Sequence, residues 1–252
     1  MSMQRALIRR PGPRLAEGLV THIDRQPVDV PLAMRQWERY VDALHAAGWT
    51  TIEVPPLDAC PDSVFVEDTM VVYGDRAVIA RAGAEQRRPE AAAAEQTVAA
   101  QGYTITRITA PGTLDGGDVL KIGSTIYVGE GGRTNAEGIA QLRAALDADV
   151  RAVPVKKVLH LKSAVTALPD GTVIGYEPLV DDLTVFEKFL GVPEEAGAHV
   201  VLLDDERLLM AASAPKSAEL FRGLGYRPVV VDISEFEKLE GCVTCLSVRL
   251  RG

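Results

Sequence analysis

Val119-Leu120-Lys121-Ile122-Gly123-Ser124-Thr125-Ile126-Tyr127-Val128 reads as two short strands, 119–122 and 126–128, folded about Gly123-Ser124-Thr125. Strand-forming residues flank a turn-forming glycine, the signature of a hairpin. Downstream, Thr134-Asn135-Ala136-Glu137 has the form of a capping box, in which Thr134 and Glu137 each take an orphan backbone donor. The helix it opens places Ile139, Leu142 and Leu146 on one face, and a strand follows near 151–155. Hairpin, helix and strand thus follow one another within a single unit.

The same order recurs on both sides. Upstream, strands 70–73 and 77–80 are joined by Gly74-Asp75-Arg76, a helix begins near Pro89, and 103–108 is a strand. Downstream, 164–168 and 172–174 surround Pro169-Asp170-Gly171, with a helix expected to carry Phe186, Phe189 and Leu190. Next, 200–203 and 207–210 surround Asp204-Asp205, before a helix from Pro215 bearing Leu220 and Leu224 and a strand at 228–233. The beginning of the chain supplies strand 5–9, a helix opened by Pro31 with Trp37, Tyr40, Val41 and Leu44 on its apolar face and closed by Gly48, and strand 50–54. The end supplies strand 246–250, with Leu246, Val248 and Leu250 alternating against Ser247 and Arg249. A period of about 40–50 residues marks a repeat architecture. Five ββαβ units fit if the two ends complete one between them, which would make 1–252 a single α/β domain closed into a ring, as propellers are. An ordinary α/β sandwich has similar alternation and stays open at this point.

The chain carries a net charge of -8 and a pI near 5.1, which argues against a nucleic-acid binder needing a basic stripe. Three cysteines in 252 residues point to a reducing compartment, so a cytoplasmic location is expected. Neither a signal peptide nor a run of about 18 apolar residues is read, and no membrane association is expected. The sequence does not fix the oligomeric state and leaves a homodimer open.

Two thiols, Cys242 and Cys245, stand where the last strand begins. A cysteine at a strand mouth is a candidate nucleophile, although free cysteine is also a common core residue. Of four histidines, His22, His45 and His199 read as ordinary surface or core residues. His160 opens a strand as Cys245 does. Asp115, in Leu114-Asp115-Gly116-Gly117-Asp118, opens the preceding unit in the same way and is placed to hold the His160 ring. Glu67 and Asp68 interrupt the apolar run 64–70, so they need either an ion-pair partner or a cationic ligand such as a guanidinium. Arg87 and Arg133, ahead of helices, suit a substrate carboxylate or plain solvation.

Phe65-Val66-Glu67-Asp68, Leu114-Asp115-Gly116-Gly117-Asp118, Arg133-Thr134-Asn135, His160-Leu161-Lys162-Ser163 and Gly241-Cys242-Val243-Thr244-Cys245-Leu246-Ser247 together resemble the dimethylarginine dimethylaminohydrolase family. That family is part of the guanidino-group-modifying, or pentein, superfamily that includes arginine deiminase, and the likeness spans essentially the whole chain. It implies a five-bladed propeller. It further implies that Nω-methylated arginines are hydrolysed to citrulline through a covalent thiouronium on Cys245, with His160 as acid and base and Asp115 as its orienter. The resemblance makes Glu67 and Asp68 the guanidinium-binding carboxylates and Phe65 a pocket wall. Arg87 and Arg133 become the carboxylate clamp, with Asp62, Leu239 and Leu19 around the α-amino group. Leu19 would ride on a closing Pro/Gly-rich lid. Neither a metal nor an organic cofactor is implied; the partner is a small molecule.

Arginine deiminases carry an aspartate two residues after the histidine, where this chain has Lys162; losing that acceptor suits a methylated nitrogen. Glu240 stands where relatives commonly have Asp. Cys242 makes a C-x-x-C with Cys245, and on a strand, residues three apart face opposite ways, which argues against a disulfide. Arginine deiminase, another amidinohydrolase, a non-catalytic guanidino-ligand binder and a C-x-x-C redox protein are the competing readings.

Overall fold

The structure, a computed structural model, describes residues 4–250. Its fifteen strands form five separate three-stranded sheets with one connectivity. In each, the central strand pairs antiparallel with one neighbour and parallel with the other. The third blade shows the pattern. β6 (Val119–Ile122) pairs with β7 (Thr125–Glu130), placing Val119 opposite Val128, and β8 (Asp149–Pro154) lies parallel to β7 after α3 (Ala136–Leu146). A parallel return requires a crossover of this length, and a helix is its usual form.

The second blade is β3 (Met70–Tyr73), β4 (Arg76–Ile79), α2 (Ala91–Ala99) and β5 (Thr104–Arg107). The fifth is β12 (Val200–Leu202), β13 (Arg207–Ala211), α4 (Pro215–Gly223) and β14 (Arg227–Val231). The first blade draws on both ends of the chain. β1 (Arg5–Ile8) pairs antiparallel with β15 (Val248–Leu250) and parallel with β2 (Thr50–Glu53), which follows α1 (Val30–Ala46). The blades stand about a pseudo-fivefold axis as an α/β propeller. Helices wedge between neighbours: α3 packs on β8 of its own blade and on β4 of the one before. Ile139, Leu142 and Leu146 of α3 thereby share a buried cluster with Val71 and Val78.

Four local expectations are corrected. The fourth blade, β9 (Val165–Ala167), β10 (Val173–Gly175) and β11 (Phe189–Gly191), crosses over without an α-helix. Pro178 and the Asp182 carboxylate, which accepts from Thr184 N–H, confine it to one-turn 3-10 segments, so Phe189 and Leu190 are strand residues. Phe186 instead packs on Tyr127, ring centroids 5.3 Å apart, and ties this blade to the third. Asn135, not Thr134, caps α3 by accepting from Gly138 N–H at 2.8 Å. α4 buries Ala218 and Phe221, whereas Leu224 falls past its end and is exposed. Finally, β15 begins only at Val248, because 243–246 form turns.

Candidate active site

One narrow cleft on the propeller axis is lined by Leu19, Asp62, Phe65, Asp68, Arg87, Arg133, Leu159, His160, Leu239, Glu240, Gly241 and Cys245. These residues come from loops and strand mouths far apart in sequence, which the ring brings to one end.

Cys245 sits on a tightly held turn. Cys245 N–H donates to Cys242 O at 3.1 Å, and Glu67 N–H donates to Cys245 O at 3.2 Å. Tyr40 Oη, fully buried, donates to Val243 O at 3.0 Å, and Arg249 Nη1 donates to Thr244 O at 2.9 Å. Phe65 fills the space behind Gly241, where an added Cβ would lie 2.4 Å from the Phe65 ring. Only glycine permits that approach.

His160 is 3% exposed, and its Nε2 donates to Asp115 Oδ2 at 3.0 Å. Asp115 is fully buried; its Oδ1 accepts from Gly83 N–H at 2.9 Å, and Arg133 Nη1 lies 3.4 Å from its Oδ2. The other imidazole nitrogen, Nδ1, is 3.9 Å from Asp68 Oδ1. Burial alone would favour the neutral ring. The Asp68, Asp118 and Asp115 carboxylates outweigh it and raise the His160 pKa to about 9. The ring is therefore an imidazolium at neutral pH. Gly117 makes this geometry available: a Cβ there would meet His160 Nδ1 at 2.6 Å and Asp68 Oδ1 at 2.7 Å. Its N–H donates to Asp68 Oδ1 at 2.9 Å.

Asp68 also accepts from Arg87 Nη1 at 2.7 Å. Burial opposes its charge, but the His160 imidazolium, Arg87 and the Gly117 N–H hold its pKa down to about 2. Arg87 is itself buried, with Nη2 and Nε on Glu90 and further contacts from Nη2 to Asp62 O and Phe65 O. The Cys245 thiol is pushed well above its ordinary value by its contact with Cys242, by burial, and by the Glu67 and Asp68 charges.

The structure separates Glu67 from Asp68. Both lie on the 3-10 turn Val66–Thr69, where successive side chains diverge by about 120°. Asp68 enters the cleft. Glu67 points to the opposite face, where its Oε1 is 2.6 Å from Lys162 Nζ and 2.7 Å from Arg249 Nη2. A cavity of about 320 Å³ opens there, lined by Glu67, Lys162 and Arg249 but by neither Cys245 nor His160. The expected pair of guanidinium carboxylates is thus corrected: Glu67 belongs to an ion-pair floor beneath the cleft, and Lys162 sits on the floor with it.

Two further carboxylates were not legible as a set. Asp118 receives Leu161 N–H at 2.9 Å and Thr134 Oγ1–H at 2.6 Å, fixing the backbone beside His160. Glu240 has left-handed backbone, φ 61°, and its buried side chain accepts from Thr21 N–H and His22 N–H, each at 2.7 Å. Asp62 accepts from Leu19 N–H at 3.1 Å. The loop carrying Leu19 is therefore held down at two points, and the enclosed cleft has room for about one water (about 10 Å³). A basin of about 540 Å³ next to it, lined by His22, Gln26 and His199, shares Leu159, Glu240 and Gly241 with the cleft.

Asp68, Asp115 and His160 offer ligand atoms within 4.8 Å of one another, the spacing of a metal set. A metal there would have to displace the imidazolium proton and compete with Arg87 and Arg133 for the carboxylates. No helix among the described residues is long and apolar enough to cross a membrane.

The arginine deiminase family model matches residues 40–201. The N(G),N(G)-dimethylarginine dimethylaminohydrolase of Streptomyces coelicolor is 67% identical, covering 100% of this chain and 98% of its own. The protein of that name from Pseudomonas aeruginosa is 36% identical over 96% of this chain and 98% of its own. A solved structure of the Pseudomonas protein, a cysteine-to-serine variant complexed with citrulline, matches with a TM-score of 0.91 at 34% identity, over 99% of this chain and 100% of that one. The N-terminal domain of a cyanobacterial arginine dihydrolase shares the fold alone, with a TM-score of 0.85 at 20% identity over 98% of this chain and 97% of that domain. With the cleft, the propeller and near full-length identity in agreement, the chain belongs to the dimethylarginine dimethylaminohydrolase family of the pentein superfamily.

Proposed function

We propose that this chain hydrolyses asymmetric dimethylarginine and monomethylarginine to citrulline, releasing dimethylamine or methylamine, with Cys245 as nucleophile. The observation that carries the reading is a closed cleft holding a thiol, an imidazolium oriented by Asp115 and a fixed carboxylate, Asp68. Relatives named for this activity support it.

The substrate guanidinium lies against Asp68, and its central carbon faces the Cys245 sulfur. Its positive charge opposes the Cys242 contact, the burial and the carboxylate charges that together keep the empty-site thiol protonated, so the thiolate forms as substrate binds. Attack makes the C–S bond and a tetrahedral adduct. His160 then gives its proton to the departing methylated nitrogen, the C–N bond breaks, and an S-alkylthiouronium remains. The neutral imidazole next removes a proton from water, the hydroxide adds to the same carbon, and the C–S bond breaks to free the thiolate and citrulline. Leu19, Asp62 and Leu239 surround the α-amino end. Arg133 and Arg87 receive the carboxylate, Arg133 with more donors to spare, because Arg87 is largely engaged by Asp68 and Glu90. Phe65 supplies the wall behind Gly241. We take residues 1–252 as one catalytic unit, since the first blade and the cleft draw on both ends, and place it in the cytoplasm on its three free thiols.

Parallel turnover of arginine, monomethylarginine and asymmetric dimethylarginine, with mass spectrometry of enzyme quenched during turnover, tests this. Citrulline from the methylated substrates and an adduct on Cys245 are expected. Faster turnover of arginine would give the activity to a deiminase; ligand-induced stabilisation without citrulline would make the chain a binding protein.

The Leu19 loop has to lift for a methylarginine to enter a cleft of this size. Glu240→Ala removes the acceptor of two loop N–H groups. Such bonds to a charged group are each worth about 1.5–3 kcal/mol where fully formed. An increase in KM of roughly ten-fold is expected, with faster tryptic cleavage at Arg25. An unchanged KM and an unchanged cleavage rate would remove Glu240 from that role.

A further inference from the structure

Cys242 lines neither the cleft nor the neighbouring basin and has no part in the mechanism above. Its Sγ nevertheless lies 3.3 Å from Cys245 Sγ and 3.2 Å from Thr244 Oγ1. The expected strand geometry, with the two thiols on opposite faces, does not occur. Residues 242 and 245 are the first and last of a turn closed by the Cys245 N–H to Cys242 O bond. Such a turn brings its end Cα atoms within about 7 Å, the range a disulfide spans. The third cysteine, Cys60, contacts Gln86 O and does not join this pair.

We infer that Cys242 and Cys245 are a dithiol–disulfide pair through which peroxide reversibly switches off the nucleophile. The sulfurs need to move from 3.3 Å to about 2.05 Å, within reach of side-chain rotation on a turn already held by Tyr40 and Arg249. Peroxide reaches Cys245 first, by the route substrate takes, because only that thiol lines the cleft. The Cys245 sulfur, a thiol in the empty site, attacks one peroxide oxygen and the O–O bond breaks. A sulfenic acid forms, and the released hydroxide takes up the thiol proton as water. Cys242 sulfur then attacks Cys245 sulfur: the S–S bond forms, the S–O bond breaks, and the hydroxyl leaves with the Cys242 proton as a second water. Two thiols and one peroxide give one disulfide and two waters. The resolving step stops Cys245 short of the irreversible sulfinic acid. Bound substrate excludes peroxide, so the switch acts on the empty enzyme.

The loss of turnover rests on Cys245 being the nucleophile; the bond itself does not. Trypsin releases residues 239–249 as one peptide holding both thiols, which lets the two be read separately. The reduced full-length protein is titrated with hydrogen peroxide, alkylated with iodoacetamide and digested. The peptide is expected to be unalkylated and lighter by two hydrogens, while turnover falls at least about ten-fold and dithiothreitol restores both. In Cys242→Ser, or Cys242→Ala should that fold better, the peptide instead gains oxygen and dithiothreitol does not restore turnover. A native peptide that gains two or three oxygens without a disulfide overturns the inference, as does a Cys242 variant that recovers as the native chain does. A disulfide that forms while turnover persists would keep the bond, refute the switch and sink Cys245 as nucleophile.

Discussion

Cys245→Ser is expected to lower kcat by about 10³-fold or more while leaving methylarginine bound. The size of the loss follows from what the sulfur does twice. It must become an anion inside a buried site, and it must leave again when water attacks the thiouronium. A thiol, even one raised by its Cys242 contact, by burial and by nearby carboxylates, ionises far more readily than a serine hydroxyl, and a thiolate is the better leaving group. Binding depends on other groups. Asp68 is held by Arg87 and Gly117, Asp62 by Leu19 N–H, and none of them contacts the replaced atom. The variant should therefore bind monomethylarginine by calorimetry with an affinity within a few-fold of the substrate's apparent affinity for the native enzyme, and yield no adduct when quenched. Turnover within ten-fold of native would place the nucleophile elsewhere. Loss of both binding and the thermal transition would mean a folding defect, and Cys245→Ala, which removes the sulfur without adding a hydroxyl, then decides.

Much of this arrangement is readable from local sequence because each blade repeats one local grammar. The 119–128 hairpin, the α3 core face of Ile139, Leu142 and Leu146, and the joining of β1 to β15 all follow from periodicity and turn chemistry. What sequence could not carry are directions set by a single dihedral or by a boundary shifted two residues. A strand beginning at 246 keeps Cys242 and Cys245 apart; a turn over 243–246 puts their sulfurs in contact. Glu67 and Asp68 look like a carboxylate pair until a 3-10 turn sends them to opposite faces. Glu240 latches the Leu19 loop only through a left-handed backbone that no residue type at that position announces. The helix expected around Phe186 failed for a different reason: aromatic spacing fits the helix period, but Pro178 and the Asp182 turn leave too little chain to wind one.

Asp115→Asn tests the electrostatics of the site, and its expected signature is a displaced pH profile rather than a simple loss. In the native protein the imidazolium persists to about pH 9, so proton donation to the leaving nitrogen should fail only on an alkaline limb near that value. Asparagine keeps an acceptor near His160 Nε2 but removes a buried negative charge 3.0 Å from it. Asp68 and Asp118 remain, so the limb should move toward neutral pH without reaching the ordinary histidine value. A fall in kcat of about 10²-fold at pH 8 should accompany it, as more of the ring is neutral there and its tautomer is no longer fixed. Stability carries the same sign. A histidine whose pKa is raised on folding contributes stabilisation that is complete below about 6.5 and is lost as pH rises through about 9. The depressed Asp68 describes the partner's side of the same attraction, lost as pH falls through about 2, and the two are counted once. Native protein should then lose more melting temperature between pH 6.5 and pH 9 than Asp115→Asn does. The His160 ring titration, followed by NMR in both proteins, reads the shift directly. An unchanged titration midpoint in the variant would mean that Asp115 orients the ring without holding its charge, and the alkaline limb would need another owner.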